Sequence, residues 1–292
     1  MIKFKTNKFL ILFLILLSIF GIWGCSSDSD SDPKPTQSDF NNGAYAAIAL
    51  SRVTSSLALS YSSLQSGIAQ GDIKITKGVR ELKSNIELYT NNGCPSVGFS
   101  LGTGGINLKI SYSQGCEVMG MSVSGSIDGT LSLSSSEGLK LVLSVDNLVV
   151  DNIKSTGTIS IIASSFEELK LSLAGTVTIT DESGKTKKLV IDNMTGVVDV
   201  NQTFMDPSDD VYTLNGTGTY TDVDNKSYKV TITNVKAKFM CFFPVSGTMI
   251  LEADKTPKTI IDFGNGDCDT KVTITVGGQS QEIDLTNIVK TT

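Results

Sequence analysis

Along most of this chain apolar and polar residues alternate one by one. Leu139, Leu141, Leu143 and Val145 share one face, with Lys140 and Ser144 on the other. Tyr228, Val230 and Ile232 contrast in the same way with Lys229, Thr231 and Thr233. A period of two marks a strand with one buried and one wet face, the antiparallel norm. From about Ile73 onward the pattern predicts strands. Residues 40–68 break it. There Tyr45, Ile48, Val53, Leu57, Tyr61, Leu64 and Ile68 recur at spacings of three to five, mostly four. That period predicts one helix with an apolar face, capped at Asn41 or Asn42 and ended near Gly67.

The strand region repeats itself. Gly-Thr followed by alternating apolar residues recurs from Gly129, Gly157, Gly175, Gly216 and Gly247. In three of these a hairpin-type turn follows, at Glu137-Gly138, Ser183-Gly184 and Asp224-Asn225. The returning strands end alike, in Asp146-Asn147-Leu148, Asp192-Asn193-Met194 and Thr233-Asn234-Val235. Such repetition predicts an antiparallel meander of hairpins. The expected fold is mainly β: a curled sheet or barrel of repeated hairpins, with one N-terminal helix packed on it. Its apolar face must be covered by the helix, by the sheet itself or by a ligand. An integral outer-membrane barrel is not the expectation, because such barrels need lipid-facing bands with aromatic girdles and the final residues NIVKTT include no aromatic.

The N-terminus is of another kind. Lys3, Lys5 and Lys8 precede an apolar run from Phe9 to Trp23, then Gly24-Cys25, then a Ser/Asp-rich stretch with Pro33 and Pro35. A basic start and a short apolar core are the layout of a secretory signal, too short to span a bilayer comfortably. The ending Ile22-Trp23-Gly24-Cys25 resembles the lipobox of bacterial lipoproteins. The resemblance covers residues 1–25. It implies cleavage before Cys25, acylation of its thiol, and lasting attachment to a membrane. Acidic residues just after Cys25 resemble a surface-export signal, and Ser26 resembles an outer-membrane sorting signal. Both imply lipid anchoring in the bacterial outer membrane, on opposite faces. The expected organisation is a signal peptide over 1–24, an acidic tether over 25–39, a helix over 40–70 and a β domain over 71–292.

Removing the three signal lysines takes the net charge from −6 to −9. That balance argues against nucleic acid as a partner. Histidine is absent, which excludes His-based triads and His-ligated metals. Four cysteines follow Cys25: Cys94, Cys116, Cys241 and Cys268. In an exported chain they read as disulfides. Cys94 with Cys116 and Cys241 with Cys268 are favoured, because each pair brackets a hairpin-like segment. Each bridge would contribute roughly 3 kcal/mol in the chain-entropy picture.

Acidic clusters at 206–210, at 222–225 and at 262–269 could ligate calcium, yet Asp and Asn also form turns. None matches a known loop pattern, and no metal or cofactor is expected. Phe239, Phe242, Phe243, Tyr212 and Tyr220 form the densest aromatic group, read as core with a binding edge as the alternative. Glu167, Glu168 and Glu182 show no acid–base spacing, so no catalytic residue is assigned. Sequons at Asn193, Asn201, Asn215 and Asn225 carry no weight in a Ser/Thr-rich chain. The leading expectation is a non-catalytic binding or structural module held at the envelope through lipidated Cys25. The alternatives are a carrier enclosing a lipid or other apolar ligand, and a carboxylate-dependent hydrolase. A protein, a glycan or a lipid all fit as the ligand.

Overall fold

The structure is a computed structural model that describes residues 33–69, 73–76, 79–82, 86–89, 94–118, 121–134, 138–151, 153–163, 169–180, 184–199, 210–238, 241 and 243–289. Side chains of the first helix are described through Ser56. Helix α1 (Gln37–Ala69) is followed by β1 (Ile73–Thr76), β2 (Val79–Leu82) and β3 (Ile86–Tyr89). Next come β4 (Ser96–Gly102), β5 (Gly105–Val118), β6 (Met121–Ser134), β7 (Gly138–Val150), β8 (Ile153–Ala163), β9 (Leu169–Thr180) and β10 (Thr186–Asp199). Then follow β11 (Val211–Thr221), β12 (Ser227–Lys238), β13 (Ser246–Glu252), β14 (Thr259–Asn265), β15 (Lys271–Val276), β16 (Gln279–Asp284) and a short α2 (Leu285–Val289).

Strands β3 to β16 form one 14-stranded antiparallel sheet in strict chain order. The sheet is open, with β3 and β16 as its edges, while β1 and β2 pair separately. The meander is the expected one; of the two forms expected for it, the closed barrel is not adopted. Alternation sorts the faces as read: Leu141, Leu143, Val145, Tyr228, Val230 and Ile232 are buried. The side chain of Leu139 lies outside the described residues.

The repeated Asn endings are β-bulges. Asp146 and Asn147 sit opposite one residue of β8, between the pairs Val145↔Gly157 and Leu148↔Ser155. Asp192 and Asn193 do the same against β9, and Asn234 and Val235 against β13. Asn147 and Asn234 take up left-handed backbone, φ 51° and 49°, which Asn tolerates better than most residues. Each bulge pushes a carbonyl at the neighbouring strand, and there a glycine stands. A Cβ on Gly216 would lie 2.5 Å from the Asn193 carbonyl oxygen, and one on Gly247 would clash with that of Asn234. At Gly216-Thr217 and Gly247-Thr248 the two halves of the repeat, Asn-bulge and Gly-Thr, thus fit each other across neighbouring strands, while the Asn147 carbonyl meets Gly125. The result bends long strands and raises their twist.

Helix α1 starts three residues earlier than the pattern suggests, because the cap is Thr36. The Asp39 amide donates to Thr36 Oγ1 (3.3 Å), and the Thr36 amide donates to Asp39 Oδ2 (2.9 Å). This reciprocal arrangement is a capping box. Between Ala44 and Ser56 the helix also lacks an exposed side chain. Ala44, Ala46, Ala47, Ile48, Ala49, Leu50, Ser51, Arg52, Thr54, Ser55 and Ser56 are all buried. The one-sided reading is corrected here for a physical reason: Ala and Ser are small enough for neighbours to close in all round. The buried hydroxyls stay satisfied by the helix's own carbonyls, as in Ser51 Oγ to Ala47 O at 2.8 Å and Ser56 Oγ to Arg52 O at 2.8 Å. Helix α1 touches β8, β9 and β10 as well as β14 and β15, strands that lie well apart in the sheet order. The sheet therefore curls about the helix.

Candidate functional site

Because neighbouring strands run antiparallel, the turns after β7, β9, β11, β13 and β15 lie at one end of the sheet, the near rim. Those after β4, β6, β8, β10, β12 and β14 lie at the other, the far rim. Helix α1 visits the near-rim turns in reverse order. Pro35, just before it, lies against Gly277 in the β15–β16 turn, which Pro257 of the β13–β14 turn also approaches. Asn42 meets the β11–β12 turn at Asp222, Tyr45 meets Lys187 at the start of β10, and Arg52 meets the β7–β8 turn at Asp151.

The densest of these contacts centres on Asp222, which is 5% exposed. Its Oδ1 accepts the backbone amides of Asp224 (2.9 Å) and Lys226 (3.0 Å), which closes the turn. Its Oδ2 accepts the Tyr228 hydroxyl (3.1 Å) and the Asn42 amide nitrogen (3.4 Å). The Tyr220 hydroxyl donates to Asn42 Oδ1 (3.4 Å). Burial, then the Asp222 charge, pushes the Tyr228 phenol up to about 12, and the same two causes raise Tyr220. Both phenols therefore stay protonated at neutral pH and serve as donors, not as general bases. Chemically the cluster is a latch that fastens a helix to a hairpin turn.

Two further contacts extend it. Lys187 Nζ stands 3.6 Å from the centre of the Tyr45 ring, a cation–π contact. Arg52 Nη2 pairs with Asp151 Oδ2 at 3.1 Å, and Asp151 Oδ1 accepts the Ser122 amide at 3.0 Å. Burial lowers the Arg52 pKa and Asp151 opposes that shift.

The residues singled out from the sequence fall as follows. Cys94 and Cys116 come to disulfide distance, Cα atoms 5.7 Å apart, as do Cys241 and Cys268 at 5.4 Å. Each pair spans the open end of one hairpin, β4–β5 and β13–β14. The acidic stretch 262–269 is spent on turns. Asp262 Oδ1 accepts the Gly264 amide (2.9 Å), Asn265 Oδ1 that of Asp267 (3.2 Å), and Asp269 Oδ1 that of Lys271 (3.0 Å). These residues border an exposed cleft of about 440 Å³ together with Lys271 and Glu282. Among the described residues no group of three acidic or Cys side chains could hold a metal.

Tyr212, Tyr220 and Phe243 are core residues, so the alternative of an exposed aromatic edge fails for them. Asn193, Asn215 and Asn225 are exposed. Cys25 and the signal segment, Asn201, residues 206–209, Glu167, Glu168, Glu182, Phe239 and Phe242 lie outside the described residues.

The latch itself escaped the sequence reading. Asn42 had the look of a cap, and Asp222 that of a turn former or calcium ligand. One signal was available: Arg52 is the lone basic residue in a helix of Ala and Ser, and a lone charge there implies a specific partner. No known protein family, curated protein or solved structure matches this chain.

Proposed function

We propose that this chain is an envelope-anchored lipoprotein, held in the outer membrane through acylated Cys25. Its folded part acts there as a non-catalytic binding or structural module. The observation that carries this reading is the occupant of the sheet's apolar face: the chain's own helix lies on it, with nearly every residue from Ala44 to Ser56 buried. Asn42, Tyr45 and Arg52 of the helix are each engaged by side chains of the sheet. A carrier needs a hollow of several hundred Å³. Beneath Val53 and Ser56 the cavity lined by Val145, Ser155, Leu173, Val177 and Ile191 measures about 30 Å³, the room of one or two waters. A hydrolase needs a carboxylate pair in a cleft, whereas Asp222, Asp262 and Asp269 cap backbone amides of turns and Glu282 pairs with Lys271 at 2.7 Å.

Two measurements test the reading. Wild-type chain should incorporate radiolabelled palmitate and partition into detergent, and Cys25→Ser should do neither; equal labelling would refute the lipoprotein assignment. Native mass spectrometry of the purified domain should show the bare polypeptide mass. A stoichiometric co-purifying lipid would favour the carrier instead.

A further inference from the structure

The outer face of the sheet, turned away from α1, carries an ordered row of positive charge. Lys154 on β8 stands opposite Thr178 on β9, and Thr178 opposite Lys188 on β10. Lys188 stands opposite Thr221 on β11. Two residues back along β11, Thr219 stands opposite Lys229 on β12. All three lysines are exposed, and the threonines between them are half-buried. The floor beneath is packed core, because Ile153, Val177, Leu189, Tyr220 and Val230 on the same strands are buried. Among the described residues none of the three lysines pairs with a carboxylate. Glu252, opposite Lys229 in register, is held by Lys258 at 3.0 Å. The whole chain has a net charge of −6, so the row stands out against it.

Strand spacing puts Lys154 about 10 Å from Lys188, and Lys188 about 12 Å from Lys229. From this spacing we infer that the row binds a linear acidic polysaccharide, in which a uronic acid alternates with a neutral sugar. The polymer lies across β8 to β12 with a carboxylate at each lysine. The inference rests on the binding-module reading and names its ligand class; it does not need the anchor. An acid on every second sugar spaces the charges on the scale of the row. The neutral sugar between them meets Thr178, or Thr219 and Thr221, whose hydroxyls can donate and accept hydrogen bonds. One exposed ion pair contributes little, but three made by one polymer on a fixed row reinforce each other. Other polyanions fit less well. A DNA duplex carries a charge about every 1.7 Å, so about eleven phosphates would face three lysines over about 19 Å. An anionic bilayer is flat, whereas the sheet curls about α1 and turns a convex face outward, so a plane meets only part of the row.

The test uses the full chain, purified in detergent, and titrates it calorimetrically with hyaluronan fragments long enough to cover the row. Binding that weakens as salt is raised is the expected result. Replacing Lys154, Lys188 and Lys229 together by Gln should weaken it about tenfold or more. Replacing Lys34, Lys109 and Lys236 by Gln makes the same change of charge at exposed sites away from the row. That variant should stay within about twofold of wild type. No binding by the wild-type chain, or equal losses in the two triple variants, would overturn the row as a site. Two other results would overturn the polysaccharide as its occupant, each if lost with the same three lysines. One is tighter binding to single-stranded DNA than to hyaluronan; the other is a preference for phosphatidylglycerol over phosphatidylcholine vesicles. Palmitate labelling at Cys25 is independent of all these outcomes, so the anchor stands or falls separately.

Discussion

Two acidic turns of nearly the same composition have opposite fates. Asp222-Val223-Asp224-Asn225 joins β11 to β12 at the near rim, and Asp262 to Asp269 surrounds the end of β14 at the far rim. In both, an Asp side chain caps backbone amides two residues on, the ordinary work of Asp in turns. At Asp262 the work ends there, in water. At Asp222 the second carboxylate oxygen is covered by α1 and receives two side-chain donors. The difference lies in what the chain lays over the turn. A carboxylate that closes a turn becomes a fastening point when a helix buries it, because its unused lone pairs must then be satisfied.

The largest effect that distinguishes the two turns is on stability. Asp222→Ala should cost about 3 kcal/mol or more in urea unfolding, since it strands the Tyr228 hydroxyl and the Asn42 amide in the interior. Asp267→Ala should stay within about 0.5 kcal/mol. Comparable losses at the two sites would erase the contrast.

Next in size is the bulge between β12 and β13, toward the far rim. Gly247 has φ 94° and faces the Asn234 carbonyl. Gly247→Ala should cost about 1–3 kcal/mol, measured the same way. Gly104→Ala, with open space around it, should cost much less.

A smaller effect is alkaline. Tyr228 is raised in the folded state from the ordinary phenol value near 10 to about 12. Between those values the unfolded chain loses the proton while the folded one keeps it, so stability falls as pH rises through that window. Tyr228→Phe should flatten the decline measured by unfolding from pH 10 to 12. An unchanged slope would mean that the phenol does not report on Asp222. Smallest of all is the effect of calcium. Millimolar Ca²⁺ should leave the melting temperature unchanged in both wild type and Asp267→Ala, and a clear rise would make 262–269 a metal site after all.

Much of this fold is written locally. Strict alternation placed the strands, and hairpin chemistry placed their order, because each strand pairs with its sequence neighbour. The cysteine pairs were legible for the same reason, each bracketing a single hairpin. Non-local contacts were not legible. Asn42 and Asp222 are 180 residues apart, and nothing in either neighbourhood names the other. The burial of α1 from Ala44 to Ser56 was missed because periodicity registers large apolar side chains, whereas Ala and Ser are buried here by virtue of being small. The Asn endings of the repeat were visible as a pattern, but their meaning as bulges needed the register of the neighbouring strands.

The account's central claim is that α1 is an integral part of the core, fastened across the near-rim turns. Native-state hydrogen exchange on the amides of residues 44–56 tests it most directly. The account predicts that they open only with global unfolding, with the same free energy as the central strands β9 to β12. It also predicts that Asp222→Ala lowers both together. Exchange from α1 at a free energy well below that of the sheet, indifferent to Asp222→Ala, would contradict it.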